Sequence, residues 1–149
     1  MADKVQFELV SPEKLLLSEA VDMVVVPGTE GNFGVLPGHA LFISTVRPGV
    51  IDVYEDKNIS ERIFVSGGFA EVTPERCTVL ADEAVPLSSI ERGAIEAEVR
   101  TLESTVTGLK DQAVRLSGAE RDEAQLRLKD AERRLAVATA KLAAVSAVH

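Results

Sequence analysis

Hydrophobic and polar positions follow two rhythms along the chain, and the change falls near residue 87. Before it the period is two. Val5-Gln6-Phe7-Glu8-Leu9 alternates apolar and polar side chains, the pattern of a half-buried strand. Asp22-Met23-Val24-Val25-Val26 is a largely β-branched run that Pro27-Gly28 ends. Val50-Ile51-Asp52-Val53-Tyr54 and Arg62-Ile63-Phe64-Val65 flank a polar turn from Glu55 to Ser60, which predicts a hairpin. Phe69-Ala70-Glu71-Val72 and Cys77-Thr78-Val79-Leu80 flank Thr73-Pro74-Glu75-Arg76, which predicts a second. Short strands punctuated by Gly/Pro turns indicate a sandwich or a barrel.

After residue 87 the period is heptad-like. Ile95, Val99, Leu102, Val106, Leu109, Ala113 and Leu116 step by four and three. So do Ala124, Leu128, Ala131, Leu135, Ala138, Leu142 and Val145. Between the seams lies Ser117-Gly118-Ala119-Glu120. Gly118 can end one helix, and Ser117 with Glu120 has the spacing of a capping box for the next. Two helices joined so tightly predict an antiparallel hairpin. Alanine fills three of the seven positions of the second seam, and at roughly 0.8 kcal/mol per buried methylene such positions hold weakly, so the hairpin is expected to be movable. Gly108 costs about 1 kcal/mol against alanine inside the first helix and marks a second place for a bend.

Composition draws the same boundary. All six prolines and all six aromatics precede residue 88, whereas twelve of the eighteen alanines follow it. We therefore divide the chain into a β-domain, 1–87, and a helical domain, 88–149. The first part carries 6 basic and 14 acidic residues and the second 10 of each, giving the net charge of −8. Such a balance excludes a general nucleic-acid binder, which needs a basic face against phosphates. No apolar run approaches the length of a membrane span, and the start, Met1-Ala2-Asp3-Lys4, has no charged-then-apolar leader. The lone Cys77 excludes an internal disulfide and reads as a small core residue.

No catalytic constellation emerges. The glycine-dense stretch Pro27–Ala40 lacks the Gly-Lys-Ser/Thr of a phosphate loop, and Pro37 stops it from opening a helix. It reads either as a tight double turn between strands or as an exposed binding loop. His39 has no Ser or Cys partner in a recognisable motif, so it is a turn residue or a partner contact. No metal site and no cofactor are expected. Residues 127–149 carry Arg127, Lys129, Arg133, Arg134 and Lys141 against Asp130 and Glu132. That face is either solvated or set against an acidic surface.

Four segments resemble one family: Val24-Val25-Val26-Pro27-Gly28-Thr29-Glu30-Gly31, Gly34-Val35-Leu36-Pro37-Gly38-His39-Ala40, Phe64-Val65-Ser66-Gly67-Gly68-Phe69-Ala70-Glu71-Val72 and Val79-Leu80-Ala81-Asp82. Their order and spacing are similar to the ε subunit of bacterial F-type ATP synthase, the counterpart of mitochondrial δ, over the whole chain. The resemblance implies a flattened antiparallel β-sandwich of about ten strands followed by a two-helix hairpin. It implies a non-catalytic rotor subunit of the central stalk, bound to the gamma subunit and seated on the c-ring, linking proton flow to ATP synthesis. The ring contact would fall on Glu30, Gly31, Gly34, Leu36, Pro37, Gly38 and His39. The helices, extended along gamma towards the alpha/beta head, would inhibit ATP hydrolysis through Arg133 and Arg134. The implied location is peripheral, at the cytoplasmic face of the bacterial inner membrane. Some members bind ATP through Ile/Leu-Asp-x-x-Arg-Ala at the first helix. Here the place reads Ile90-Glu91-Arg92-Gly93-Ala94-Ile95, so no bound nucleotide is expected. The alternative is a free-standing adaptor or chaperone carrying a coiled-coil hairpin, for which the glycine segments serve no purpose.

Overall fold

Valine dominates the interior. Val5, Val21, Val24, Val26, Val35, Val46, Val53, Val65, Val72 and Val79 share one cluster with Phe7, Leu9, Ile51, Ile63 and Cys77. These residues lie on nine of the ten strands, since β-branched side chains pack well on pleated surfaces. The computed structural model describes residues 3–147. The strands are β1 (Val5–Val10), β2 (Leu15–Val21), β3 (Met23–Gly28), β4 (Gly31–Val35), β5 (Phe42–Val46), β6 (Gly49–Glu55), β7 (Asn58–Val65), β8 (Gly68–Val72), β9 (Arg76–Ala81) and β10 (Ala84–Pro86).

They form one sheet in the order β10-β7-β6-β3-β5-β8-β9-β1-β2, with β4 paired to β3 beside this path. The sheet curls into a sandwich because β3 changes partner along its length. Met23–Val25 pair with β6, whereas Gly28 pairs with Val46 of β5. The curl brings the β1–β2 end of the sheet beside β6: Asp22 N donates to Tyr54 O at 3.1 Å, and Lys4 Nζ bridges Asp22 and Glu55 at 2.9 and 3.1 Å.

Three sequence expectations change here. One pair departs from the antiparallel rule: β1 runs parallel to β9, with Phe7 opposite Cys77. The two strands are far apart in sequence, so no tight turn constrains their direction. The polar turn placed at Glu55–Ser60 shrinks to Asp56-Lys57, with Asp56 at a φ of 57°. The glycine-dense stretch is not only turns, because β4 runs through it.

The second unit begins at Ile90, after a short 3-10 turn at Leu87–Ser89. It holds α1 (Arg92–Arg115) and α2 (Gly118–Ala147), which pack along each other. All fourteen seam positions are buried or half-buried, including Ile95, Val106, Ala113, Ala124, Ala131 and Ala138. Two local expectations fail. Gly108 makes no turn: α1 is continuous through it. Gly118 does not close α1. The helix ends because Leu116 turns extended (φ −93°, ψ 164°), and Gly118, at φ 62°, opens α2. Among the described residues no helix is long and apolar enough to cross a membrane.

Candidate functional site

The β3–β4 hairpin carries the first group of expected contact residues. Pro27 and Gly28 are buried, whereas Thr29, Glu30 and Gly31 are exposed, so the chain leaves the core abruptly at a two-residue turn. Glycine is required at both flanks. A Cβ on Gly28 would stand 2.7 Å from Gly31 O and 3.0 Å from the Phe33 ring, and Gly31 has a φ of 132°. Glu30 thus sits at the tip of a turn that larger neighbours would distort.

The second group follows β4. Gly34 is exposed opposite Val25, and Leu36 is 55% exposed. Pro37 and His39 are half-buried, and Gly38 is exposed at a φ of 82°. Gly38 N donates to Pro74 O at 2.7 Å, tying this loop to the β8–β9 turn. His39 N donates to Leu36 O at 3.1 Å, and His39 Nδ1 lies 2.7 Å from Ala40 O. A carbonyl only accepts, so the proton is on Nδ1. The His39 ring lies 6.3 Å from that of Phe42, which meets Phe33 edge-on at 5.1 Å. The structure sets the two groups at opposite ends of β4, a strand of about 13 Å at the usual rise, with the Phe33–Phe42 contact between them.

Arg133 and Arg134 lie on α2. They converge on one carboxylate, Asp130, at 2.7 and 3.0 Å. The hydrogen bond from Arg133 leads in holding the Asp130 carboxyl below its usual range. Both guanidiniums remain about two-thirds exposed.

Two features escaped the sequence reading. The first is an apolar row on the outer face of the sheet. Phe69 pairs with Leu80, Leu80 with Val10, and Val10 with Leu15, across β8, β9, β1 and β2. Phe69 is 56% exposed, Leu15 54% and neighbouring Ile43 73%. The signal was present: Phe42-Ile43 and Val79-Leu80 are apolar at successive positions, so both faces of their strands are apolar. The second feature is a pair of inward-facing carboxylates at the sandwich edge. Glu19 stands opposite Phe7, and Glu61 opposite Val53. Burial pushes Glu19 up to about 6, and Glu61 and Glu55 push the same way. Glu61 Oε2 is buried without a donor among the described residues. Neither feature is reaction chemistry, and Cys77 is an inert thiol, pushed up to about 12 by burial.

The chain presents an exposed turn, an apolar outer face and a helix pair whose fully buried α2 positions are alanine. Comparison with known proteins gives the family. Residues 4–87 match the family model described as ATP synthase, Delta/Epsilon chain, beta-sandwich domain. The chain is 52% identical over 120 residues to the ATP synthase epsilon chain of Rhodospirillum rubrum, covering 80% of this chain and 90% of that one. To the ATP synthase epsilon chain of Rhodospirillum centenum it is 58% identical over 113 residues, covering 74% and 75%. A chain in the solved mitochondrial ATP synthase OSCP/F1/c-ring of Euglena gracilis shares the fold, with a TM-score of 0.66, 23% identity and 98% of this chain and 82% of that chain covered. The chain belongs to the ATP synthase delta/epsilon family and is a central-stalk subunit of an F-type ATP synthase.

Proposed function

We propose that this chain is a non-catalytic rotor element that couples the c-ring to the gamma subunit and carries a brake on ATP hydrolysis. The observation that carries the reading is the β3–β4 hairpin, whose exposed tip projects from the buried Pro27-Gly28 corner. A tip built this stiffly suits a contact under load. In this reading the Thr29–Glu30 turn and the Leu36–His39 loop meet polar loops of the ring. The outer row of Phe69, Leu80, Val10 and Leu15 meets gamma, because an exposed apolar surface of this kind marks a protein contact. Proton flow turns the ring, and the sandwich carries that rotation to gamma. The chain is peripheral, at the cytoplasmic face of the bacterial inner membrane.

The brake lies in the helical unit. Each fully buried seam position on α2 is alanine, Ala124, Ala131 and Ala138, so α2 contributes only methyl groups at the most buried positions of the contact with α1. Release of α2 gives up those methyl groups and the half-buried Leu128, Leu135 and Leu142 but no fully buried large side chain, and an acidic alpha/beta surface can compete for it. Arg133 and Arg134 supply the charge for that surface, exchanging a shared Asp130 for separate carboxylates.

The test compares ATP hydrolysis by assembled synthase carrying the full chain, a chain ending at Ser89, or Arg133→Glu with Arg134→Glu. Hydrolysis should rise in both variants, while proton-driven synthesis persists. Equal hydrolysis in all three would remove the brake from the account. Failure of the full chain to co-purify with the synthase would remove the rotor role itself.

A further inference from the structure

One side chain joins both arms of the β3–β4 hairpin. Arg47 Nη1 donates to Gly28 O, at the end of β3, and Nη2 donates to Asn32 Oδ1 at 2.7 Å, near the start of β4. The guanidinium therefore spans the turn that carries Glu30. Backbone contacts run alongside: Arg47 N donates to Pro27 O at 2.9 Å, and Thr29 N to Thr45 O at 3.1 Å. The hydroxyls of Thr29 and Thr45 meet at 2.6 Å.

This support matters because the sheet gives the tip little else. The ladder between β3 and β5 consists of one residue pair, Gly28 with Val46. Pairing of Met23–Val25 with β6 anchors the base of the hairpin, so the part left to flex is the tip beyond Val26, about the Pro27-Gly28 corner. Arg47 blocks that flexing from the side. Its own backbone is stiff, since the residue before a proline is held extended, and Pro48 follows. Close packing behind it is tight, with an added Cβ on Gly49 meeting Pro27 Cβ at 3.0 Å.

We infer that Arg47 is a positioning residue for the rotor contact: it locks the Glu30 hairpin against the sheet so that the tip transmits load to the sandwich without yielding. The inference rests on the reading that this tip meets the ring. A planar fork is required, because a lysine ammonium cannot hold two acceptors on separate arms in a fixed plane.

The experiment has two readouts, on the full chain and on assembled synthase. In the full chain, amide hydrogen exchange at residues 29–32 should speed up about tenfold in Arg47→Ala, the effect of losing a charge-assisted hydrogen bond. Exchange in β1 and β9 should stay unchanged. Arg47→Lys should fall between, and Asn32→Ala, which removes one acceptor, should reproduce part of the effect. In assembled synthase, Arg47→Ala should lower proton-driven ATP synthesis with the subunit retained, and Arg47→Lys should partly restore it. Unchanged exchange at 29–32 in Arg47→Ala would overturn the lock. Faster exchange with undiminished synthesis would overturn the placing of the tip at the ring.

Discussion

Gly68→Ala should destabilise the β-unit selectively, and the structure gives the size of the effect. Gly68 has a φ of 150°, and a Cβ there would lie 1.8 Å from Leu80 O and 2.9 Å from Leu80 C. Real Cβ atoms essentially never come within 3.0 Å of such neighbours, so β8 and β9 must separate locally by at least 1.2 Å (3.0 − 1.8). Gly68 joins three strands, opposite Val46 of β5 and Ala81 of β9, so the shift disturbs two ladders. Losing two net backbone hydrogen bonds costs about 1–3 kcal/mol, and the backbone strain adds about 1–2 kcal/mol. The sum, about 2–5 kcal/mol, corresponds to a drop of roughly 8–40 °C in the melting temperature of a domain this size. Tyr54, the sole tyrosine in a chain without tryptophan, reports the β-unit alone by fluorescence. Circular dichroism at 222 nm follows the helices. A Tyr54 transition within about 3 °C of wild type would refute the packing argument, since it would mean the ladder absorbs the methyl at no cost.

Three further outcomes rest on the same structure. Gly108→Ala should stabilise the helical transition by about 1 kcal/mol, because an added Cβ meets nothing within 4 Å and the residue is inside α1. The folded chain holds a proton on Glu19 up to about 6, against an ordinary value of 4.5 when unfolded, so that stabilisation is present at low pH and lost as pH rises through about 6. Urea titrations of Glu19→Gln, followed through Tyr54, should lack this dependence. Cys77, fully buried and with its thiol pushed up to about 12, should resist alkylation until the β-unit unfolds, so its labelling rate should track the urea midpoint.

How much the sequence revealed depended on whether a signal was local. The heptad seams were legible because each helix carries its own period, and every position from Ile95 to Val145 in those seams faces inward. Strands with clean alternation, such as β1 and β9, were legible for the same reason. β2 was hidden because Leu15-Leu16-Leu17 is continuously apolar, with Leu15 on an exposed outer row and Leu17 against the core. β4 was hidden by Gly31 and Gly34, and β10 by its three residues. Inward-facing Glu19 and Glu61 broke the alternation on β2 and β7 and find each other only across the curled sheet. The parallel pairing of β1 with β9 and the Arg47 fork are products of topology, which no window of neighbouring residues contains. The glycine segments announced the Glu30 turn, because close backbone approach leaves glycine as the fitting residue at Gly28.

The central claim is that the sandwich turns with the ring, and a cross-link at the Glu30 tip tests it most directly. Glu30→Cys would be joined to a cysteine placed in the polar loop of the c-ring in assembled synthase, and proton-driven ATP synthesis measured before and after joining. Cys77 is buried and does not compete. The account predicts efficient cross-linking with synthesis continuing, because two parts of one rotor lose no motion when tied together. Absence of the cross-link, or a cross-link that stops synthesis and releases it on reduction, would contradict the account.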